Sequence, residues 1–295
     1  MEQMITGLDK FGLDEQIIGS ILSGDNKAGR KKEVVAPKAG PEPVEEDFLF
    51  LKSVSCPVCD NVFSTLVVKS GKARRLEPDF DLRPRFQYID TNKYDITFCT
   101  KCGYAALNKE FIHLSLGQKK LIREHVCKNF KAAPELISDT LMDYDTAIDH
   151  YKVALYNTIV KRGRVSEKGY ECLKIAWLYR GKAEAIRDGV LVVEEPKRTI
   201  IFCLQEERRF YGYAYDALVE AMAKESFPIC GMDGNTYQLL LATMGYKLNK
   251  LEEASKMVSS LIVSRTVSSN IKNRAIDVKE MILAKLREQA NKSNK

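Results

Sequence analysis

The sequence predicts an α+β chain in which a small β-rich module precedes a larger, mostly α-helical domain. Three observations predict it. Two Cys-x2-Cys pairs, Cys56/Cys59 and Cys99/Cys102, sit among short runs of β-branched and aromatic residues. From about Ala105 onward, apolar residues recur at the i, i+3, i+4 spacing of amphipathic helices. The 295 residues, 45% hydrophobic and 29% charged, suit a globular chain of two domains.

The elements follow in order. Residues 1–23 carry Ile17, Ile18, Ile21 and Leu22 on one side of an amphipathic helical arm, restarted after Gly12 by Asp14 as an N-cap. Residues 24–46, with three prolines, several glycines and charges of both signs, offer almost nothing to bury and read as a flexible linker. An arm on such a tether either docks on its own chain or on a neighbouring copy, or serves as a recruitment peptide that orders when an outside partner binds. Strands are expected at FLFLKSVS, STLVVKS and YDITF, with an ordered, non-helical excursion between the last two. The β-rich module spans 47–112, the helical domain 113–289, and a disordered tail 290–295. No convincing strand follows Ala105, and the helical domain is expected to fold by itself.

Within the helices, Ala147, Tyr151 and Ala154 fall at i, i+4 and i+7, as in the second helix of a tetratricopeptide unit. Leu241, Ala242, Asn249, Leu251, Ala254, Val258 and Leu261 fit the register of the 34-residue repeat across two helices, although Gly245 stands where an aromatic is usual. The irregular spacing leaves a non-repeating helical bundle as the alternative, whereas stacked helical repeats leave a concave groove suited to peptides. Tyr179, Arg180, Tyr211 and Tyr215 are the candidate groove residues.

The four paired cysteines are the strongest chemical signal. A CxxC turn brings two sulfurs within reach of one metal, and two turns supply a tetrahedral thiolate set for Zn²⁺. Thirty-nine residues separate the pairs, so this zinc-ribbon-like module carries a long inserted loop. Gly103 follows the second pair, where a positive φ turns backbone N–H groups toward sulfur; Asp60 holds the matching place in the first. Four protein ligands leave no open coordination position, so one structural Zn²⁺ per chain is expected. A dithiol redox centre is the rival reading of Cys56-Pro57-Val58-Cys59, but that chemistry wants a helix N-terminus rather than flanking strands.

FLFLKSVSCPVCDNVF, the stretch RRLEPDFDLRPRFQYIDTNKYDITFC, and CTKCGYAALNKEF together resemble the bacterial domain-of-unknown-function family 2225. The resemblance covers about residues 47–265 and implies a cysteine-rich module followed by tetratricopeptide-like helices. It implies no activity.

The remaining chemistry is sparse. His113, His125 and His150 form no HExxH motif, and no Walker, dinucleotide-binding or nucleophile-elbow pattern appears. His125 and Cys127 at i, i+2 on a helix point about 200° apart, which disfavours a second metal site. The net charge of +6 is modest. Residues 66–88 hold Arg74, Arg75, Arg83 and Arg85 with interleaved aromatics, a possible nucleic-acid surface, yet Glu77, Asp79 and Asp81 lie inside the run and suit internal ion pairs better. Residues 150–187 hold nine Lys and Arg against three Glu, a face that would attract acidic peptides.

No apolar run reaches the ~20 residues that span a bilayer, and the N-terminus lacks the basic-then-apolar pattern of a secretory signal, so membrane insertion is not expected and the cytoplasm is. The sequence thus points to a non-enzymatic, zinc-binding interaction protein that holds a protein or peptide partner in a helical groove. Nucleic-acid binding through Arg74, Arg75, Arg83 and Arg85 is the second reading and thiol–disulfide chemistry the third.

Overall fold

Residues 42–131 and 141–293 are described by the computed structural model. The predicted N-terminal arm and most of the predicted linker lie outside them. A short 3-10 turn, Glu45–Phe48, opens the described chain, and Glu45 there already pairs with Lys93.

Two antiparallel hairpins follow. Strands β1 (Leu49–Ser55) and β2 (Val62–Val68) pair from Leu49↔Val68 to Ser55↔Val62. Strands β3 (Ile96–Phe98) and β4 (Ala105–Leu107) pair from Ile96↔Leu107 to Phe98↔Ala105. The β4 strand corrects the expected onset of helix at Ala105. Ala-Ala-Leu has no strand preference of its own, but all three residues are buried and the ladder to β3 overrides local propensity.

The helical part begins with α1 (Leu116–Ile122), whose N-cap Ser115 and Gln118 form a capping box. A π-helical turn, Arg123–Cys127, extends it. Helices α2 (Tyr144–Val160), α3 (Val165–Arg187), α4 (Pro196–Lys224), α5 (Gly234–Lys247), α6 (Leu251–Val263) and α7 (Ser269–Ser293) complete the described chain. The last helix therefore runs past residue 290. Contacts of Asp145 with Lys182 and Thr158 with Glu171 make α2 and α3 antiparallel. Those of Arg180 with Glu207 and of Gly169 with Leu218 do the same for α3 and α4.

The described residues from 43 onward form one unit with a shared core. Phe48, Tyr94, Ile96, Phe98 and Leu107 of the β-rich module pack in the same cluster as Tyr151, Leu173, Trp177, Tyr211 and Leu241 of the helices. The helices expected to fold alone are thus missing one wall of their core.

The inserted loop supplies the second seam. Residues 74–87 double back on themselves through an Arg75↔Phe86 bridge, and the tip at 79–83 enters the helical part. Asp81 at that tip is fully buried. Its carboxylate accepts from Arg180 Nη1 and Nη2 at 3.0 and 2.7 Å, from Trp177 Nε1 at 3.2 Å and from Lys247 Nζ at 3.2 Å. Burial alone would push this carboxyl up, but the hydrogen bonds and charge of Arg180, with Lys247, outweigh it and hold Asp81 well below the usual carboxylate range. Asp79 adds ion pairs to Arg83, Arg85 and Arg180, and its carbonyl accepts from Arg274 of α7. The acids among the loop arginines do form ion pairs, both within the loop and with Arg180 of α3, and so anchor the loop to the helices.

Removing one member of a buried ion pair strands the other, at a cost of about 3–5 kcal/mol. Asp81→Asn should lower the denaturant-measured stability at pH 7 by that amount, with Asp81→Leu/Arg180→Met recovering most of the loss. Because the folded carboxyl is depressed, its contribution is complete above about pH 4 and fades below it, so the gap between wild type and Asp81→Asn should narrow in acid.

Glu171 titrates the opposite way. It is fully buried between α2 and α3 with one oxygen on Thr158 Oγ1, and burial together with the nearby Glu167 charge pushes it up to about 8. The folded chain then holds a proton that the unfolded chain releases, so stability falls by about 1.4 kcal/mol per pH unit as pH climbs from the ordinary 4.5 toward 8. Thermal melts of Glu171→Gln should show a raised Tm at pH 8 and little change at pH 5.

Candidate metal centre

Each CxxC is the six-residue loop of a β-hairpin. Residues 56–61 join β1 to β2, and residues 99–104 join β3 to β4. The two loops close with the same hydrogen bonds: Cys56 N donates to Asn61 O and Asp60 N to Cys56 O, as Cys99 N does to Tyr104 O and Gly103 N to Cys99 O. The residue after each second cysteine takes a positive φ, 57° at Asp60 and 79° at Gly103. Asp60 thus accepts the conformation that glycine adopts freely. At Gly103 space forbids anything larger, since a Cβ would lie 2.5 Å from Phe130 Cγ.

The loops face each other. Cys56 Sγ lies 3.7 Å from Cys102 Sγ and Cys59 Sγ lies 3.7 Å from Cys99 Sγ, and all four sulfurs fall within 4.8 Å of one another. Cys56, Cys99 and Cys102 are buried and Cys59 is half-buried. The neighbouring Cys102 and Cys56 sulfurs pull the Cys99 thiol well below its ordinary range, whereas Cys56, Cys99 and burial raise Cys102 far above a normal thiol. One thiolate is easy here and four are not, unless a cation balances them. The donor set suits a metal ion.

The surroundings fix both loops. Arg123, on the π-turn, donates through Nε and Nη2 to Val58 O at 3.0 and 2.8 Å. Asn157, buried in α2, donates to Gly103 O at 2.9 Å. Tyr104 Oη donates to Phe111 O, and Val58, Phe111, Ile122 and Val126 exclude water from the sulfurs. Neither Arg123 nor Asn157 was singled out by spacing. The available signal was a polar Asn157 one turn beyond Ala154 in an otherwise apolar stripe.

Other predicted residues are placed differently. Arg83 is buried against Asp79, Asp90 and Glu184, and Arg85 pairs with Glu184 and Asp79, which leaves Arg74 and Arg75 as the exposed arginines of that set. Tyr179, Arg180, Tyr211 and Tyr215 do not line an open groove. All four are buried, Arg180 on Asp81 of the loop tip and, with Lys247, over the Tyr211 ring at 5.9 and 5.2 Å, Tyr179 against Phe202 and Phe210 of α4 and Lys152 of α2, and Tyr215 under Lys250. His125 and Cys127 are not part of the sulfur cluster.

A family model described as "Uncharacterized protein conserved in bacteria (DUF2225)" matches residues 49–282. The chain belongs to this family. The match takes in both cysteine loops, the inserted loop and α1 to α6 complete. No curated protein and no solved structure matches the chain.

Cys99→Ser and Cys56→Ser should each remove most of the bound metal, read by elemental analysis of protein purified without chelator. Cys127→Ser should keep it. Hydrogen exchange of the Cys99→Ser protein should speed up across residues 96–107 and 116–127, the segments tied to the sulfurs.

Proposed function

We propose that the chain is a non-enzymatic, cytoplasmic zinc protein whose helical surface holds a protein partner. The 3.7 Å sulfur separations carry the zinc assignment. A tetrahedral ion with Zn–S bonds of ~2.3 Å sets its ligands ~3.8 Å apart. Four thiolates fill that coordination shell, so the ion stabilises the fold and performs no hydrolysis. Arg123 and Asn157 hold the carbonyls of the two loops and so orient the ligands.

The partner reading rests on the outer surface rather than on a groove. Val190 and Val192 before α4, with Ile201, Phe202 and Leu204 in its first turns, are 47–87% exposed. Exposed large apolar side chains gathered in one stretch of sequence suit a protein contact. Helices α5 and α6, of 14 and 13 residues, have the length of a tetratricopeptide pair, while α3 and α4, of 23 and 29, are longer. These lengths support a repeat-like reading for the α5–α6 pair alone.

Two measurements test this. Metal analysis should give one zinc per chain; iron or no metal would overturn the zinc assignment. A photo-crosslinking residue at Phe202 should trap one dominant protein in bacterial cells, and the same probe at exposed Glu280 should not. Equal labelling at both positions would remove the support for a partner surface.

A further inference from the structure

A cavity of about 250 Å³ lies where three distant segments meet: residues 107–118, the α2–α3 turn at 161–167, and Cys230. Its lining holds four cations, Lys109, Lys161, Arg162 and Arg164, against two carboxylates, Glu110 and Glu167. Lys161 is committed to Glu167. Lys109 lies 5.6 Å over the Tyr170 ring, and among the described residues it forms no ion pair, nor do Arg162 and Arg164. On α3 itself, Lys174, Arg180 and Lys182 each have a carboxylate partner, while Lys168 and Arg187 form no ion pair among the described residues.

We propose that this cavity binds a small oxyanion, a phosphate- or carboxylate-bearing molecule, with Arg162, Arg164 and Lys109 as its ligands. The volume lies just below the usual range for small-molecule pockets, which suits a compact, highly charged ligand rather than a peptide. Guanidinium groups bind such oxygens in a bidentate fork, and two of them on one turn can share a single phosphate or carboxylate. The neutral members of the site do not oppose it. Burial pushes the Cys230 thiol up to about 11, and its Sγ donates to Ser166 O, so this wall carries no charge at neutral pH. Glu171 behind Glu167 keeps its proton near pH 7, so the positive excess is not cancelled from below. Glu110 is the one lining carboxylate with no cation within ion-pair distance among the described residues, and it opposes an anion.

The test is calorimetric titration of the full-length, metal-loaded protein with pyrophosphate and, separately, with citrate, at fixed ionic strength. Saturable binding of one equivalent is expected with at least one of the two, and which one binds tells phosphate from carboxylate chemistry. Arg162→Ala/Arg164→Ala should weaken binding tenfold or more, while Arg208→Ala on the exposed side of α4 should not change it. Glu110→Gln should tighten binding severalfold, a gain that a misfolded variant does not produce. Non-saturable binding of both probes, or equal losses in the Arg208→Ala and Arg162→Ala/Arg164→Ala proteins, would reduce the effect to general surface charge and overturn the site.

Discussion

The structure depends on a carboxylate carried by a loop and buried by helices. Asp81 comes from the insertion between the two cysteine pairs, yet its partners are Trp177 and Arg180 on α3 and Lys247 on α5. A charge with no solvent exposure is tolerable only when paired and hydrogen-bonded. The pairing therefore dictates where the tip must sit and how α3 and α5 must be spaced around it. Phe80 and Leu82, on either side of Asp81, pack against the α5–α7 core, so the same tip also joins two hydrophobic clusters.

The cysteine loops are the second anchor, at the other end of the insertion. Each is held from the helical side by one hydrogen-bonding side chain, Arg123 for the first loop and Asn157 for the second. The insertion is thus fastened at both ends: at its base by the sulfur cluster and at its tip by Asp81. Between them, Lys174 of α3 reaches Asp95 at 2.7 Å, and Arg83 and Arg85 reach Glu184. The basic stretch 150–187 reads from sequence as a lure for acidic peptides. Much of it meets acids of its own chain.

This explains what was legible in the sequence. Cys56, Cys59, Cys99 and Cys102 could be read directly, because CxxC spacing is a local property and the metal-binding geometry follows from it. So could β1, β2 and β3 and the long helices, whose side-chain periods are local too. Residues whose role is set by remote neighbours could not. Ala105–Leu107 forms a strand only because β3 lies beside it, and Arg180 looks like a groove residue until the tip of a loop a hundred positions earlier takes its guanidinium. The acids at 79 and 81 were visible as ion-pair formers, but their partners on α3 and α5 were not.

The seam between the β-rich module and the helices also contains His150, buried on α2 against Phe98 at 4.9 Å with no hydrogen-bond partner for either ring nitrogen. Burial holds it down to about 4, so it stays neutral where a free histidine would begin to charge. The unfolded chain takes up that proton near pH 6.5 and the folded chain does not, so His150 removes stability as pH falls from 6.5 toward 4. Glu171, one helix over, removes stability as pH rises from 4.5 toward 8. The two buried groups oppose each other across the same interval, and their sum flattens the stability of the α2 packing through the weakly acid range. Neither contributes to the metal ligands or to the Asp81 anchor. The seam therefore holds through apolar packing and the two fixed anchors, with its titrating groups offsetting one another.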